Sequence, residues 1–433
     1  MLARFSRVPT AVRIATATLA VVLVATLLVG QTRPSNDVDS RAFVRRLNGV
    51  TDAFKAYVSD GKLAGAVVLV AHRGKVVYLE PFGQRDRESR APMKRDTIFR
   101  IASQTKALVS VGIMMLQEQS KLSVTDPVSK YLPEFAQTTV AVQAPAGSTQ
   151  RYEVVPAKRQ ITIHDLLTHT AGIGYGMGVA SDRWKAAGIQ GWYFADRNEP
   201  VSDVVARMPA LPFDAQPGER YVYGYNTDIL GVVIERVSGE SLDAFLQSKI
   251  VKPLGMRDTH FYLPANKKDR LAVVYTPGDS GIVRAPDPGN VGQGAYIDGP
   301  RRAFSGGAGL LSTAADYGRL LQMLLNGGEL DGTRVLSQAS VRSMTIDQMN
   351  GIAYGPGQGF GFGFSILQDL KAFEKPGSIG EWGWGGAYHS KYWVSPADQL
   401  VVVYLTQLIP AGSIDDHDRL RALVYEALGH QPE

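Results

Sequence analysis

The feature that most constrains the fold is Ala107-Leu108-Val109-Ser110-Val111-Gly112-Ile113-Met114-Met115-Leu116, a run with no charge and a single hydroxyl. A helix that is apolar on every side has no face for water, so it must lie inside a domain large enough to surround it. Directly before it stands Phe99-Arg100-Ile101-Ala102-Ser103-Gln104-Thr105-Lys106. A lysine in the first turn of a buried helix is costly, because its ammonium loses hydration unless something compensates. The i,i+3 spacing sets Ser103 and Lys106 on one face. A serine hydroxyl is a weak nucleophile until a neighbouring base takes its proton, and a helix N-terminus offers free N–H groups to a developing negative charge. An N-cap serine beside a lysine reaching out to water is the plainer reading of the four residues alone. The wholly apolar helix behind them favours a nucleophile with its base.

At 433 residues and 45% apolar content the chain can fill one large or two medium cores. Of the formal charge of +5, Arg4, Arg7 and Arg13 supply three, and the +2 left for the rest is too little for a nucleic-acid footprint. The absence of cysteine excludes disulfides, thiolate catalysis and lipidated cysteine. Ile14–Gly30 is uncharged behind a basic start, which reads as an export signal or an N-terminal anchor whose arginines stay cytoplasmic. Residues 31–39 read as a linker, and 40–433 as the folded part.

Arg41–Leu63 has helical spacing at Phe43, Leu47, Val50, Phe54 and Val58. Ala64–Ala71 and Lys75–Phe82 are two β-rich runs joined by His72-Arg73-Gly74, a hairpin. Residues 137–159 suggest a small hairpin, and Ile161–Leu167 starts a helix that stops at Thr168-His169-Thr170-Ala171-Gly172. Asp228–Val237, Thr313–Leu325 and Asp416–Leu428 are helices, while Phe360–Leu367, Ala387–Val394 and Leu400–Gln407 have strand character. Strands at both ends and helices between them imply an α+β fold. The terminal strands would pair in one antiparallel sheet flanked by helices (40–110 with 301–433), and 111–300 would form a mostly helical second lobe. A cleft between lobes is the expected site.

Three ordered segments resemble a known family, the serine β-lactamase and penicillin-binding-protein-like hydrolases, on the class C β-lactamase and family VIII carboxylesterase branch. They are Ser103-Gln104-Thr105-Lys106, Tyr223-Gly224-Tyr225 and Trp384-Gly385-Gly386. Leu166-Leu167-Thr168-His169-Thr170-Ala171-Gly172, Pro253-Leu254-Gly255-Met256 and Gly306-Gly307-Ala308-Gly309-Leu310-Leu311-Ser312-Thr313 add to the likeness. The resemblance implies the β-lactamase/DD-peptidase-like fold and a cofactor-free, metal-free reaction through an acyl-enzyme. It makes Ser103 the nucleophile, Lys106 its partner and Tyr223 the general base. The oxyanion donors would be the Ser103 and Ala387 N–H groups, with Ala387 at the start of the strand after Trp384-Gly385-Gly386. Tyr225, Trp384, Gly385 and Gly386 would contact substrate. An isolated tyrosine or tryptophan is more often core than catalyst.

Two departures bear on the substrate. Tyr225 stands where many members have asparagine, with Asn226 offset by one, and Trp384 replaces a lysine that helps hold a substrate carboxylate. The favoured substrate is therefore a small acyl ester, with a β-lactam or D-amino-acid peptide second. An inactive, membrane-displayed binding homologue is the rival from another class. Gly278-Asp279-Ser280-Gly281 imitates a protease nucleophile segment but lies in a Gly/Pro-rich stretch and reads as a turn. His164 and His169 lack companions for a metal, and the seven histidines are scattered along the chain. His169 reads as a structural hydrogen-bonder near the cleft, and His389 could line it.

Overall fold

The computed structural model describes residues 40–145, 147–287 and 292–430. The expected export segment and linker lie outside these residues. No helix among those described is long and apolar enough to cross a membrane.

Eight strands form one antiparallel sheet: β1 (Gly65–His72), β2 (Lys75–Asp86), β3 (Ala91–Pro92), β4 (Gln358–Phe360), β5 (Ser365–Leu367), β6 (Trp382–Gly386), β7 (Ser390–Ser395) and β8 (Leu400–Thr406). Their order is β4-β5-β6-β7-β8-β1-β2-β3, so the two ends of the chain meet where β1 pairs with β8. Arg73 and Gly74 turn β1 into β2, both at positive φ (52° and 75°), the conformation that matches the twist of a two-residue hairpin.

Residues along β1 are buried on both faces, which explains an apolar run rather than an alternating one. Val67, Leu69 and Ala71 join the core cluster that contains Leu108, Ile229 and Leu320. Ala66, Val68 and Val70 pack toward α1 (Asn48–Ser59) and the C-terminal α5 (Asp416–Leu428). The same alternation runs along β8, with Val401, Val403 and Leu405 on the first face and Leu400, Val402 and Tyr404 on the second.

The apolar run forms α2 (Thr105–Glu118), buried from Thr105 to Met114 and again at Leu116, as its composition requires. It crosses the expected lobe boundary at 110/111 unbroken. It packs on α3 (Asn226–Ser238), which ends at Gly239 in the left-handed region (φ 74°). The fifth named helix, α4 (Ala314–Leu325), is capped by Thr313 and lies against β1 and β8.

Three segments differ from expectation. The first helix is interrupted at Leu47, giving Ser40–Arg46 and α1; Phe43, Leu47, Val50 and Phe54 are buried, and Val58 is half-buried. Phe360–Leu367 is a hairpin of β4 and β5, because Gly363 (φ 96°) turns the chain within it. Trp384, Gly385 and Gly386 lie on β6 itself, so Ala387 opens the turn before β7 instead of starting a strand.

Candidate active site

Ser103 lies in a short 3-10 turn, Ala102–Gln104, that runs into α2. The residue before it, Ala102, has φ 42°, a conformation costly for a residue with a Cβ and common where a site is held under strain. Three contacts fix the turn. Gln104 O accepts from the Tyr317 hydroxyl at 2.9 Å, Leu310 N–H donates to Thr105 Oγ1 at 3.0 Å, and Ile101 N–H donates to Leu310 O at 3.1 Å. From Ile101 to Ser110 only Ser103 is not buried, so the hydroxyl is the group this segment presents to the outside.

Lys106 is 2% exposed. Its ammonium is compensated by three acceptors: Gly307 O at 2.8 Å, Ser103 Oγ at 3.3 Å and the Tyr175 hydroxyl at 3.3 Å. The buried Asp228 holds the Gly307 loop in place, accepting from Ser305 Oγ at 2.6 Å and from Gly307 N–H at 3.0 Å. Burial pushes the Asp228 carboxyl up, opposed by the Ser305 bond and the nearby Lys106. A Cβ on Gly307 would meet Asp228 Oδ2 at 2.4 Å, so this approach needs a glycine.

Tyr223 meets Lys106 through its ring, the ammonium standing 4.6 Å from the ring centroid. Its hydroxyl accepts from Trp384 Nε1 at 3.4 Å. Tyr175 is therefore the phenol that Lys106 bonds directly. Burial, then the neighbouring Tyr223 and Asp228, pushes the Tyr175 hydroxyl well above its usual range, which keeps it protonated. Nothing in the sequence around Tyr175, a tyrosine in a glycine-rich turn, signals this contact.

Trp384 is half-buried and packs beside Tyr223, Tyr354 and Phe360, with ring centroids 5.6, 6.4 and 5.2 Å away. The end of β6 runs against the turn that carries Ser103: a Cβ on Gly386 would stand 2.4 Å from Ile101 O. The exposed Ala387 follows at once.

Tyr225 does not belong to this group, which corrects its assignment to substrate. It is fully buried, donates to Gly191 O at 2.7 Å and stacks on Trp184. Asn226 is also buried, its amide at 2.9 Å from His169 Nδ1. His169 packs against Tyr223 with the rings tilted, and burial with Lys106 nearby pushes its imidazole well below its usual value. It stays neutral and structural. Ser280 sits exposed at the tip of a hairpin, a turn as expected.

Two histidines that are far apart in sequence come together. His389 and His417 stack with centroids 4.0 Å apart, and His389 Nε2 lies 2.7 Å from Asp416 Oδ1. His389 thus braces the turn after β6 against α5 instead of lining the cleft. Among the described residues His389, Asp416 and His417 are the group with metal-ligand chemistry, one ligand atom from each lying within 4.8 Å of the others. Rings only 11° from parallel aim their lone pairs along separate planes instead of at one point, a poor fit for a metal ion.

Fold and site together define a serine hydrolase built around a Ser-x-x-Lys pair. The chain belongs to the beta-lactamase family, whose model matches residues 50–426. It is 35% identical to Protein Rv1367c of Mycobacterium tuberculosis, over 85% of this chain and 92% of that one. It is 33% identical to Esterase EstB of Burkholderia gladioli, over 85% and 91%. Among solved structures, EstCE1, "a hydrolase with promiscuous acyltransferase activity", superposes with a TM-score of 0.74 at 29% identity, over 89% of this chain and 99% of that one.

Proposed function

We propose that the protein is an esterase that acylates Ser103 with the acyl group of a small ester and releases it to water. The observation that carries this is the Lys106 ammonium, buried and set 3.3 Å from the one accessible hydroxyl of its segment. Similarity to Esterase EstB supports the ester as substrate. Ser103 Oγ attacks the carbonyl carbon while its proton passes to the Lys106–Tyr223 pair. The carbonyl oxygen, now negative, is held by the Ser103 and Ala387 N–H groups. Its collapse expels the alcohol, which takes the proton, and a water repeats the sequence to free the acid. Trp384, Gly385 and Gly386 form the wall along which the substrate lies. Ser103→Ala should abolish p-nitrophenyl butyrate hydrolysis with the fold intact; activity near that of the wild type would refute the role of Ser103.

The basic start and the apolar Ile14–Gly30 support export, with residues 40–433 outside the cytoplasmic membrane, either freed or anchored. Recovery of cytosolic protein with an intact Met1 terminus would overturn this.

A further inference from the structure

On the face of the sheet turned away from Ser103 lies a cavity of about 290 Å³, bordered by Ser365, Lys375, Glu381, Lys391, Trp393 and Arg421. Its position follows from strand alternation. Trp384 on β6 and Tyr392 on β7 point toward the helical lobe, so Gly385 and its register partner Lys391 face α5, as does Trp393 opposite Gly383. Two glycines on β6 leave this face without side chains, and the space stays open over them.

The charges around the cavity do not balance. Glu381 is claimed by two donors, Arg421 Nη2 at 2.6 Å and the Tyr425 hydroxyl. Arg421 spends its Nε on Pro376 O at 2.5 Å. Lys375 is paired with Asp418 at 2.6 Å near the rim. Lys391 is left over: among the described residues its ammonium has no hydrogen bond and no ion pair, and Arg421 is its neighbour. Burial first, and then Arg421, pushes the Lys391 ammonium below its usual range. An ammonium left without a protein partner beside a second cation is poised for an acceptor that the chain itself does not provide.

We infer that this cavity is a binding site for an oxyanion, a phosphate or carboxylate group, taken by Lys391 beside Arg421. The volume leaves room for the charged group and a substituent attached to it, and the acceptor-only chemistry of an oxyanion matches the free ammonium. Because Lys391 pairs in register with Gly385, the bound anion lies directly behind the strand that forms one wall of the cleft.

Calorimetric titration of the folded protein with inorganic phosphate, and separately with acetate, tests this against sodium chloride at matched ionic strength. Saturable binding of one or both is expected, and the stronger of the two tells which group the site prefers. Lys391→Met should weaken binding by about tenfold or more, the loss of one charge-assisted hydrogen bond. Ester hydrolysis by Lys391→Met, close to that of the wild type, shows that it is folded. Absence of saturable binding to either anion, or unchanged affinity in Lys391→Met, would overturn the assignment.

Discussion

Gly386→Ala isolates the contribution of strand position to catalysis, because Ser103, Lys106 and Tyr223 are all left in place. The added Cβ would stand 2.4 Å from Ile101 O and 2.5 Å from Ser390 Oγ. The serine side chain can rotate away, but the Ile101 carbonyl belongs to the backbone of the turn that carries Ser103. An ordinary close C···O contact is about 3.3 Å, so β6 and that turn must part by roughly 0.9 Å. The displacement falls between the two proposed oxyanion donors, one on each side of the gap. A misplacement of about 1 Å costs on the order of a hundredfold, similar to the loss of one oxyanion donor at about 3 kcal/mol. The expected result is a kcat for p-nitrophenyl butyrate about a hundredfold lower, with KM changed little. Gly385→Ala is the control: its Cβ would meet Ser390 O at 3.1 Å and Lys391 Cδ at 3.7 Å, which small shifts relieve. A Gly386→Ala enzyme as active as Gly385→Ala would refute the close approach as a catalytic requirement.

Lys106→Ala and Tyr223→Phe should each slow acylation on the order of a hundredfold or more, and the double variant should lose far less than the product, because the two act as a unit. Tyr175→Phe belongs in the same series: if it lowers kcat as much as Tyr223→Phe does, the phenol that Lys106 bonds directly shares the proton transfer. Trp384 offers an anionic substrate a neutral donor where a cation would serve, a deficit of about 1.5–3 kcal/mol or more than tenfold. The protein should therefore cleave p-nitrophenyl acetate with a higher kcat/KM than a chromogenic cephalosporin, and the reverse order would refute the esterase reading. Burial pushes the His417 imidazole down to about 4, with the neighbouring His389 adding to it. The unfolded chain therefore binds the extra proton between about pH 6.5 and 4, so this group's contribution to stability is whole above 6.5 and is lost as pH falls. Relative to wild type, His417→Asn should gain up to about 3 kcal/mol in urea unfolding between pH 7 and pH 4, whereas parallel pH profiles would contradict the shift.

What the sequence made legible was whatever local chemistry alone determines. Helix α2 could be read because every side of it is apolar, and α5 because acids at its start and a glycine after its end mark both limits. The β1–β2 turn followed from Arg73-Gly74 between two apolar runs. The β4–β5 hairpin was hidden because Phe360, Phe362 and Phe364 alternate through it as they would along one strand, while the turn depends on Gly363 alone. Ser103 and Lys106 stood out through residue type and spacing and Tyr223 through the family resemblance, and the structure gathers the three around one ammonium. Tyr225 was misplaced because position after Tyr223 does not say which way a side chain turns at the entry to α3. Tyr175, Asp228 and the His389–His417 pair were invisible for one reason: each acts through a partner distant in sequence, which only the fold supplies.

The most direct test of the acyl-enzyme is mass spectrometry of the protein after reaction with a fluorophosphonate probe, followed by peptide mapping. The account predicts one adduct per chain, carried by Ser103, and none on Ser103→Ala. Labelling of another residue such as Ser280, or undiminished labelling of the Ser103→Ala protein, would contradict it.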